Sequence, residues 1–328
     1  MKAMKKTLAC VSAALAAVLG FSLTTTPVAQ AAILPGPGYT VPEISDPHCT
    51  LTKKDPYPVV LIHGTWANAQ KWKYLTPYLR QNGMCVWALN FGYNEDAIFE
   101  KYRERYAVQD VDTSLKEIDA YVKMVMRKTG AKKVNVAAHS LAGLLTKLWI
   151  YKYKANRYVN NAVLITPTLK GTDMDGMGAF GPHKYPILPE AIGFFASLPA
   201  EYQLWDSPTI AYAKSIPDTM PGVHYASLMT KDDKTATPYT TGMMKAGPRA
   251  TVQNVVIQDV CRVDHEITHS GMIEDPIARP VILRALRNQP ANCKGTPWEV
   301  PNGWVGKSHK GENNGFAGDA GQSDYTAP

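Results

Sequence analysis

One stretch decides how this chain folds: VAAHSLAG, residues 136–143. Its first half is apolar and typical of a buried strand, and the apolar pattern that follows predicts a helix from Leu141 to Lys154. A serine in so sharp a strand-to-helix turn is lifted above the edge of a sheet with a strained backbone. Its neighbours two residues away must be small, because strand and helix crowd there. Ala138 and Ala142 occupy those positions, so Ser140 is predicted to be an exposed, activated serine.

Short apolar runs alternate with helical patterns on both sides of this turn. Strands are predicted at residues 58–62, 85–91, 134–138, 161–165, 223–229 and 252–257. Helices are predicted at residues 68–82, 114–130, 141–154 and 278–287. The second helix is expected to begin at a capping box, Ser114-x-x-Glu117, and to end at Gly130. The uninterrupted apolar run at 58–62, together with the alternation of strands and helices, indicates an α/β fold, with a mostly parallel central sheet and helices on both faces.

The N-terminus, one internal segment and the C-terminus depart from this alternation. Three lysines and an apolar run precede Ala29-Gln30-Ala31, which is typical of a secretory signal peptide over residues 1–31, cleaved after Ala31. A membrane anchor is the alternative, but the run is short for a span. Residues 170–221 lack a clear period and predict a lid-like or cap-like insertion. A flexible tail is predicted over 294–328, which leaves 32–293 as the folded domain.

Charge and cysteine content narrow the class of protein. Loss of the three leader lysines lowers the net charge from +7 to +4, without a basic run, so no nucleic-acid binding is expected. A mildly cationic surface suits a cell envelope or a lipid interface. Four cysteines remain, and an even number in a secreted chain indicates two disulfides. Three pairings are open, of which order and spacing favour Cys49–Cys85 and Cys261–Cys293.

Three motifs together carry a family resemblance. They are PVVLIHGTWA (58–67), CVWALNFG (85–92) and the turn around Ser140. In this order and spacing they resemble the secreted bacterial triacylglycerol lipases of the class 2 lipase family, and also the fungal lipase B type. The similarity extends over roughly residues 45–290 and is strongest in the first half. It implies an α/β-hydrolase fold and a secreted serine hydrolase that cleaves acylglycerol-type esters without a cofactor.

The resemblance also implies a set of site residues. In the family an acid and then a histidine follow the serine. The loop KDDKTATP (231–238) resembles the acid loop, in which an aspartate stands five residues before a proline, and this selects Asp233 over Asp232. The segment HSGMIEDP (269–276) matches the histidine pattern and selects His269.

The remaining implied features lie around these three residues. Backbone N–H groups of Thr65 and Leu141 would stabilise the oxyanion of the tetrahedral intermediate. A disulfide between Cys261 and Cys293 would hold the histidine loop in place. His63 and His139, which abut the proposed site, are interpreted as packed residues rather than as the catalytic base.

Several alternatives stay open. The segment HEITH (265–269) matches a zinc-protease signature, but that signature needs a helix, which two β-branched residues and Gly271 oppose, so no metal is expected. The alanines around Ser140 leave room for a non-catalytic protein that binds a lipid or a partner. Short-chain ester hydrolysis and acyl transfer to an envelope acceptor also remain as alternative activities. Apolar residues of the insertion would line an acyl pocket, form a lid or cover the sheet: Met174, Met177, Phe180, Ile187, Ile192, Phe194, Phe195 and Leu198.

Overall fold

Six parallel strands form the centre of the computed structural model, which describes residues 44–94, 105–173 and 198–309. The strands are β1 Val59–Ile62, β2 Val86–Leu89, β3 Val134–His139, β4 Val159–Ile165, β5 His224–Met229 and β6 Thr251–Val256. Their order across the sheet is β2-β1-β3-β4-β5-β6. The chain therefore runs outward from β1 to β2 and then returns to β3, which places a topological switch point at the carboxyl ends of β1 and β3. Such switch points are where open α/β sheets bind ligands.

Eight α-helices connect or flank the strands in the described ranges. They are α1 Leu75–Gln81, α2 Val111–Thr129, α3 Leu141–Lys152, α4 Leu198–Tyr202, α5 Pro208–Ser215, α6 Ile257–Val260, α7 Gly271–Glu274 and α8 Ala278–Leu286. Short 3₁₀ turns add Ala69–Lys73, Ala155–Arg157 and Tyr239–Gly242.

Helices cover both faces of the sheet. All four residues of β1 are fully buried. Val60 and Ile62 pack in one apolar cluster with residues of α2 and α3, whereas Val59 and Leu61 pack in a second cluster with residues of α1 and α8. Because alternate residues of a strand point to opposite faces, the two clusters lie on opposite sides of the sheet. This confirms the predicted fold class.

The start of α2 differs from the prediction. Asp110, not Ser114, caps the helix, because Oδ1 of Asp110 accepts the N–H of Thr113 at 2.9 Å. Glu117 is engaged elsewhere: its Oε2 accepts the N–H of Gly92 at 2.6 Å. The predicted capping box is therefore wrong, since Asp110 supplies an effective cap one turn earlier. The predicted end of the helix at Gly130 is confirmed, with φ of 70° at that residue.

The cysteines pair as order and spacing favoured. Cys49 is bonded to Cys85, and Cys261 to Cys293, with Cα–Cα distances of 5.2 Å in both pairs. The second disulfide closes a loop that contains α7 and His269. Cys261 and Cys293 are both fully buried in the second apolar cluster, so the base of this loop is fixed to the core.

Parts of the predicted organisation lie outside the described residues. The predicted leader (1–31) lies outside them. The stretch 174–197, which contains most of the apolar side chains of the predicted insertion, also lies outside them. Of those side chains, Leu198 is described and is exposed. No helix in the ranges that the structure describes is both long and apolar enough to cross a membrane.

The first part of the predicted tail packs against the domain. Residues 294–309 are described, and they carry several hydrogen bonds to the body of the protein. The N–H of Arg262 donates to the carbonyl of Trp298 at 2.9 Å, and Nε1 of Trp304 donates to the carbonyl of Gln258 at 3.0 Å. These contacts are made by backbone and indole groups rather than by aliphatic side chains.

Candidate active site

Ser140 lies in the turn between β3 and α3, at the switch point. Its φ of 58° and ψ of −126° lie outside the regions that residues other than glycine normally occupy, so the backbone is strained as the sequence predicted. The N–H of Ser140 donates to the carbonyl of Ile165 at 2.9 Å, and its own carbonyl accepts the N–H of Gly143 at 2.8 Å. These two bonds hold the strained turn in place.

Small residues allow the strand and the helix to approach each other at this turn. Ala138 and Ala142 are fully buried within the packed core, so the structure accommodates their methyl groups. The tightest position is Gly143, where a Cβ would lie 2.4 Å from Cβ of Pro167. Gly64 is similarly constrained, since a Cβ there would lie 2.8 Å from Cβ of Ser140. The core therefore accommodates alanine instead of the usual glycine at Ala138 and Ala142. The position that requires glycine is Gly143, one residue after Ala142.

His269 and Asp233 form a hydrogen-bonded pair. Nδ1 of His269 lies 2.8 Å from Oδ2 of Asp233 and 3.0 Å from Oδ1. Oδ1 also accepts the N–H groups of Thr235 and Ala236, each at 2.8 Å, and Asp233 is buried. Because a carboxylate only accepts, Nδ1 must carry the hydrogen, which leaves Nε2 as the nitrogen that can take up a proton.

The predicted site residues meet at one cavity of about 280 Å³. Ser140, His269 and Thr65 line it, and Asp233 lies behind His269. Leu141 is the first residue of α3, where a backbone N–H has no acceptor within the helix. The arrangement brings a strained serine, a histidine oriented by a carboxylate, and two candidate N–H donors to the same edge of the sheet.

The zinc-like segment adopts a different geometry from the one its signature needs. Residues 265–268 are irregular rather than helical. Nδ1 of His265 lies 2.8 Å from Asp264 and its Nε2 lies 2.7 Å from Asp275, whereas His269 faces Asp233. The two imidazoles therefore bind different carboxylates. Within the described ranges, no group of three or more His, Cys, Asp or Glu side chains is placed to hold a metal ion.

Two further histidines lie beside the site and are buried. Nε2 of His139 donates to the carbonyl of His269 at 3.1 Å, and the two rings are 4.8 Å apart. Burial, and then the charge of His269, hold the pKa of His139 well below its ordinary value. His63 stacks on Phe91 at 4.8 Å between ring centroids, and burial lowers its pKa to about 4. Both rings are thus neutral near pH 7.

We expect the free energy of unfolding to fall as the pH drops from 6.5 towards 4. In that window the unfolded chain protonates His63 and the folded chain does not, so the unfolded state binds more protons and stability decreases with falling pH. From its pKa of about 4, His63 alone contributes a loss of roughly 3 kcal/mol, and His139 acts in the same direction. Urea unfolding at pH 7.0, 5.5 and 4.5 measures the slope. The His63→Gln variant should show a shallower slope, and an unchanged slope would contradict the assignment.

Sequence reasoning missed Gln203, which also lines the cavity. Its Nε2 donates to Oγ1 of Thr65 at 2.9 Å and to the carbonyl of Pro199 at 2.7 Å, while its Oε1 accepts the hydroxyl of Thr168 at 3.0 Å. Gln203 therefore fixes the side chain of Thr65, whose backbone N–H is one of the two predicted oxyanion donors. It belongs to the aperiodic segment 170–221, where no pattern in the sequence marks it.

Comparison with known proteins agrees with this architecture. A family model described as the alpha/beta hydrolase fold matches residues 57–186. Among solved structures, Aspergillus fumigatus lipase B matches with a TM-score of 0.58 at 17% identity, over 76% of this chain and 56% of the fungal chain. Mature Bacillus licheniformis lipase BlEst2 matches with a TM-score of 0.52 at 15% identity, over 76% of this chain and 99% of the other. The chain thus spans little more than half of the fungal protein's length. At such identities the likeness establishes the α/β-hydrolase fold.

Proposed function

We propose that this protein is a secreted serine hydrolase that cleaves carboxylic esters through Ser140, Asp233 and His269. The observation that carries the proposal is that a strained serine and a carboxylate-oriented histidine both lie on the walls of one cavity. Such a constellation is recognised by geometry and roles rather than by sequence position. The family and structure likenesses support it, because lipases are among the proteins that share the fold.

The chemistry follows from the roles of these groups. Nε2 of His269 takes the proton of the Ser140 hydroxyl as the oxygen attacks the ester carbonyl. Asp233 keeps Nδ1 protonated and stabilises the imidazolium that forms. The N–H groups of Thr65 and Leu141 stabilise the negative oxygen of the tetrahedral intermediate. The alcohol leaves with the proton from His269, and water then releases the acyl group by the same steps.

Covalent labelling tests this proposal directly. A fluorophosphonate reacts with an activated serine, so the mature protein should acquire one label, located on the peptide that contains Ser140. The Ser140→Ala variant should remain unlabelled. Ser215→Ala is the matched control, because this serine is exposed at the end of α5, and it should label as the wild type does. Labelling that survives in Ser140→Ala, or no labelling of the wild type, would refute the proposal.

An acylglycerol-type ester is the substrate class that the family resemblance suggests, and short-chain esters are the second candidate. The second is favoured by the volume of the cavity that the described residues line, which is about 280 Å³. This is small for a ligand pocket. Rates on p-nitrophenyl esters from C2 to C16 separate the two: a maximum at C8 or longer supports the acylglycerol substrate, and a maximum at C2 to C4 supports the short-chain one.

A further inference from the structure

The acid loop contains a second buried carboxylate that the proposed chemistry does not use. Asp232 precedes Asp233, and its side chain is fully buried. It points away from His269 and accepts hydrogen bonds from three other segments of the chain. Nε2 of Gln258 donates to Oδ2 at 3.0 Å, and the N–H of Ile267 donates to the same oxygen at 3.1 Å. A buried carboxylate needs hydrogen-bond donors of this kind, because the burial of an ionised group without partners costs free energy.

Two of the donors to Asp232 come from the C-terminal part of the chain. Oδ1 accepts the hydroxyl of Ser308 at 2.6 Å and the N–H of His309 at 2.8 Å. Residues 304–309, here called the C-terminal clamp, are attached at two further points. Nε1 of Trp304 donates to the carbonyl of Gln258 at 3.0 Å, and the carbonyl of Gly306 accepts Nζ of Lys231 at 2.8 Å.

The same acid loop holds the backbone of the histidine loop. Ile267 stands two residues before His269, and both its peptide groups are engaged: Asp232 accepts its N–H, and the hydroxyl of Thr230 donates to its carbonyl at 2.7 Å. Gln258 ties this arrangement together, since its Nε2 donates to Oγ1 of Thr230 at 2.8 Å as well as to Asp232. All these groups are buried. The position of the His269 loop relative to Asp233 therefore depends on a network that the clamp completes.

We infer that Asp232 is a positioning residue, and that the C-terminal clamp supports the active site by satisfying the Asp232 carboxylate. Removal of the Ser308 and His309 donors leaves Oδ1 short of partners, so Asp232 turns towards water and releases the N–H of Ile267. The His269 loop then loses one of its anchors, and the imidazole is less well placed for proton transfer. The kinetic consequence rests on the proposed function; the structural consequence for the histidine loop does not.

The test uses two double variants in the full-length chain. Ser308→Ala with His309→Pro removes the hydroxyl and the N–H that donate to Asp232. Ser308→Thr with His309→Ala changes the same two positions but keeps a hydroxyl and an N–H, and serves as the matched control. For each protein the kcat and KM on a soluble ester are measured, together with hydrogen–deuterium exchange of the peptide that spans residues 265–272. Asp232→Asn, which changes the acceptor itself, provides an independent variant.

We expect the donor-removing variant to lose about 10- to 100-fold in kcat, since small misplacements of catalytic groups cost on this order. Its KM should stay within twofold, and exchange over residues 265–272 should become faster. The control variant should match the wild type in kcat, in KM and in the exchange rate of this segment. If the donor-removing variant shows the wild-type kcat, or the wild-type exchange rate over residues 265–272, the inference is overturned. A wild-type protein without Ser140-dependent hydrolysis would refute the proposed function, while the exchange data would still decide whether the clamp holds the histidine loop.

Discussion

Asp233→Asn is expected to lower kcat on a soluble ester by about 10⁴-fold, as loss of the orienting acid does in such triads. The structure gives the reason. Oδ1 of Asp233 accepts the N–H groups of Thr235 and Ala236, so an asparagine must place its carbonyl oxygen there. Its NH₂ group then occupies the position of Oδ2, 2.8 Å from Nδ1 of His269. An amide that donates to Nδ1 forces the hydrogen onto Nε2, and this is the wrong tautomer for accepting a proton from Ser140.

Steady-state kinetics measure this effect, with KM expected to change little because Asp233 is buried and does not line the cavity. Asp264→Asn is the matched control. Asp264 is exposed and pairs with His265 rather than His269, so its loss should leave kcat unchanged. A kcat for Asp233→Asn within tenfold of the wild type would rule out Asp233 as the acid that orients His269.

Asp218→Ala is expected to lower the free energy of unfolding by about 3–5 kcal/mol, the usual cost of breaking a buried ion pair. Lys147 lies on α3, the helix that begins immediately after Ser140, and its side chain is almost fully buried. Its Nζ lies 2.6 Å from Oδ1 of Asp218. Burial lowers the pKa of Lys147, and this effect is larger than the opposite effect of the Asp218 charge, which raises the pKa. Removal of the carboxylate leaves an ammonium group in the core without its counter-charge.

Urea unfolding at pH 7 measures this loss, and the same helix offers a control pair. Nζ of Lys152 lies 2.6 Å from Oδ1 of Asp112, the same distance, but both side chains are about half exposed or more. Asp112→Ala should cost less than about 1 kcal/mol, because water screens and solvates exposed charges. Similar losses in the two variants would show that the burial of Lys147 does not set the strength of its pairing. Replacing both partners, Lys147→Met with Asp218→Leu, should restore most of the lost stability.

The fold was predictable because burial on both faces leaves a strong mark on the sequence. Each of the six strands falls within two residues of a predicted strand, since strands that are covered by helices on both faces are rich in apolar residues. The two disulfides followed from cysteine order. Helix starts were harder: Ser114 and Asp110 are both residues that cap helices, and which one does so depends on where the preceding loop brings the chain.

The candidate site was predictable where it depends on local pattern. The small residues around Ser140 predicted an activated serine, and the resemblance of the segment with Gly271 and Asp275 to the family's histidine pattern predicted His269. The two adjacent acids are the limiting case. A proline five residues on favoured Asp233, yet both side chains are buried carboxylates, and only the fold directs one to His269 and the other to Ile267 and Ser308.

The sequence by itself determined the alternation of strands and helices, the strained turn at Ser140 and the pairing of the cysteines, because each of these depends on residues that are near neighbours or on burial of whole runs. Only the tertiary structure decided which distant groups meet. Gln203 reaches Thr65 across 138 residues, and Ser308 reaches Asp232 across 76. Single polar side chains at such separations leave no periodic pattern, and their partners are set by where the sheet edge and the chain ends come together.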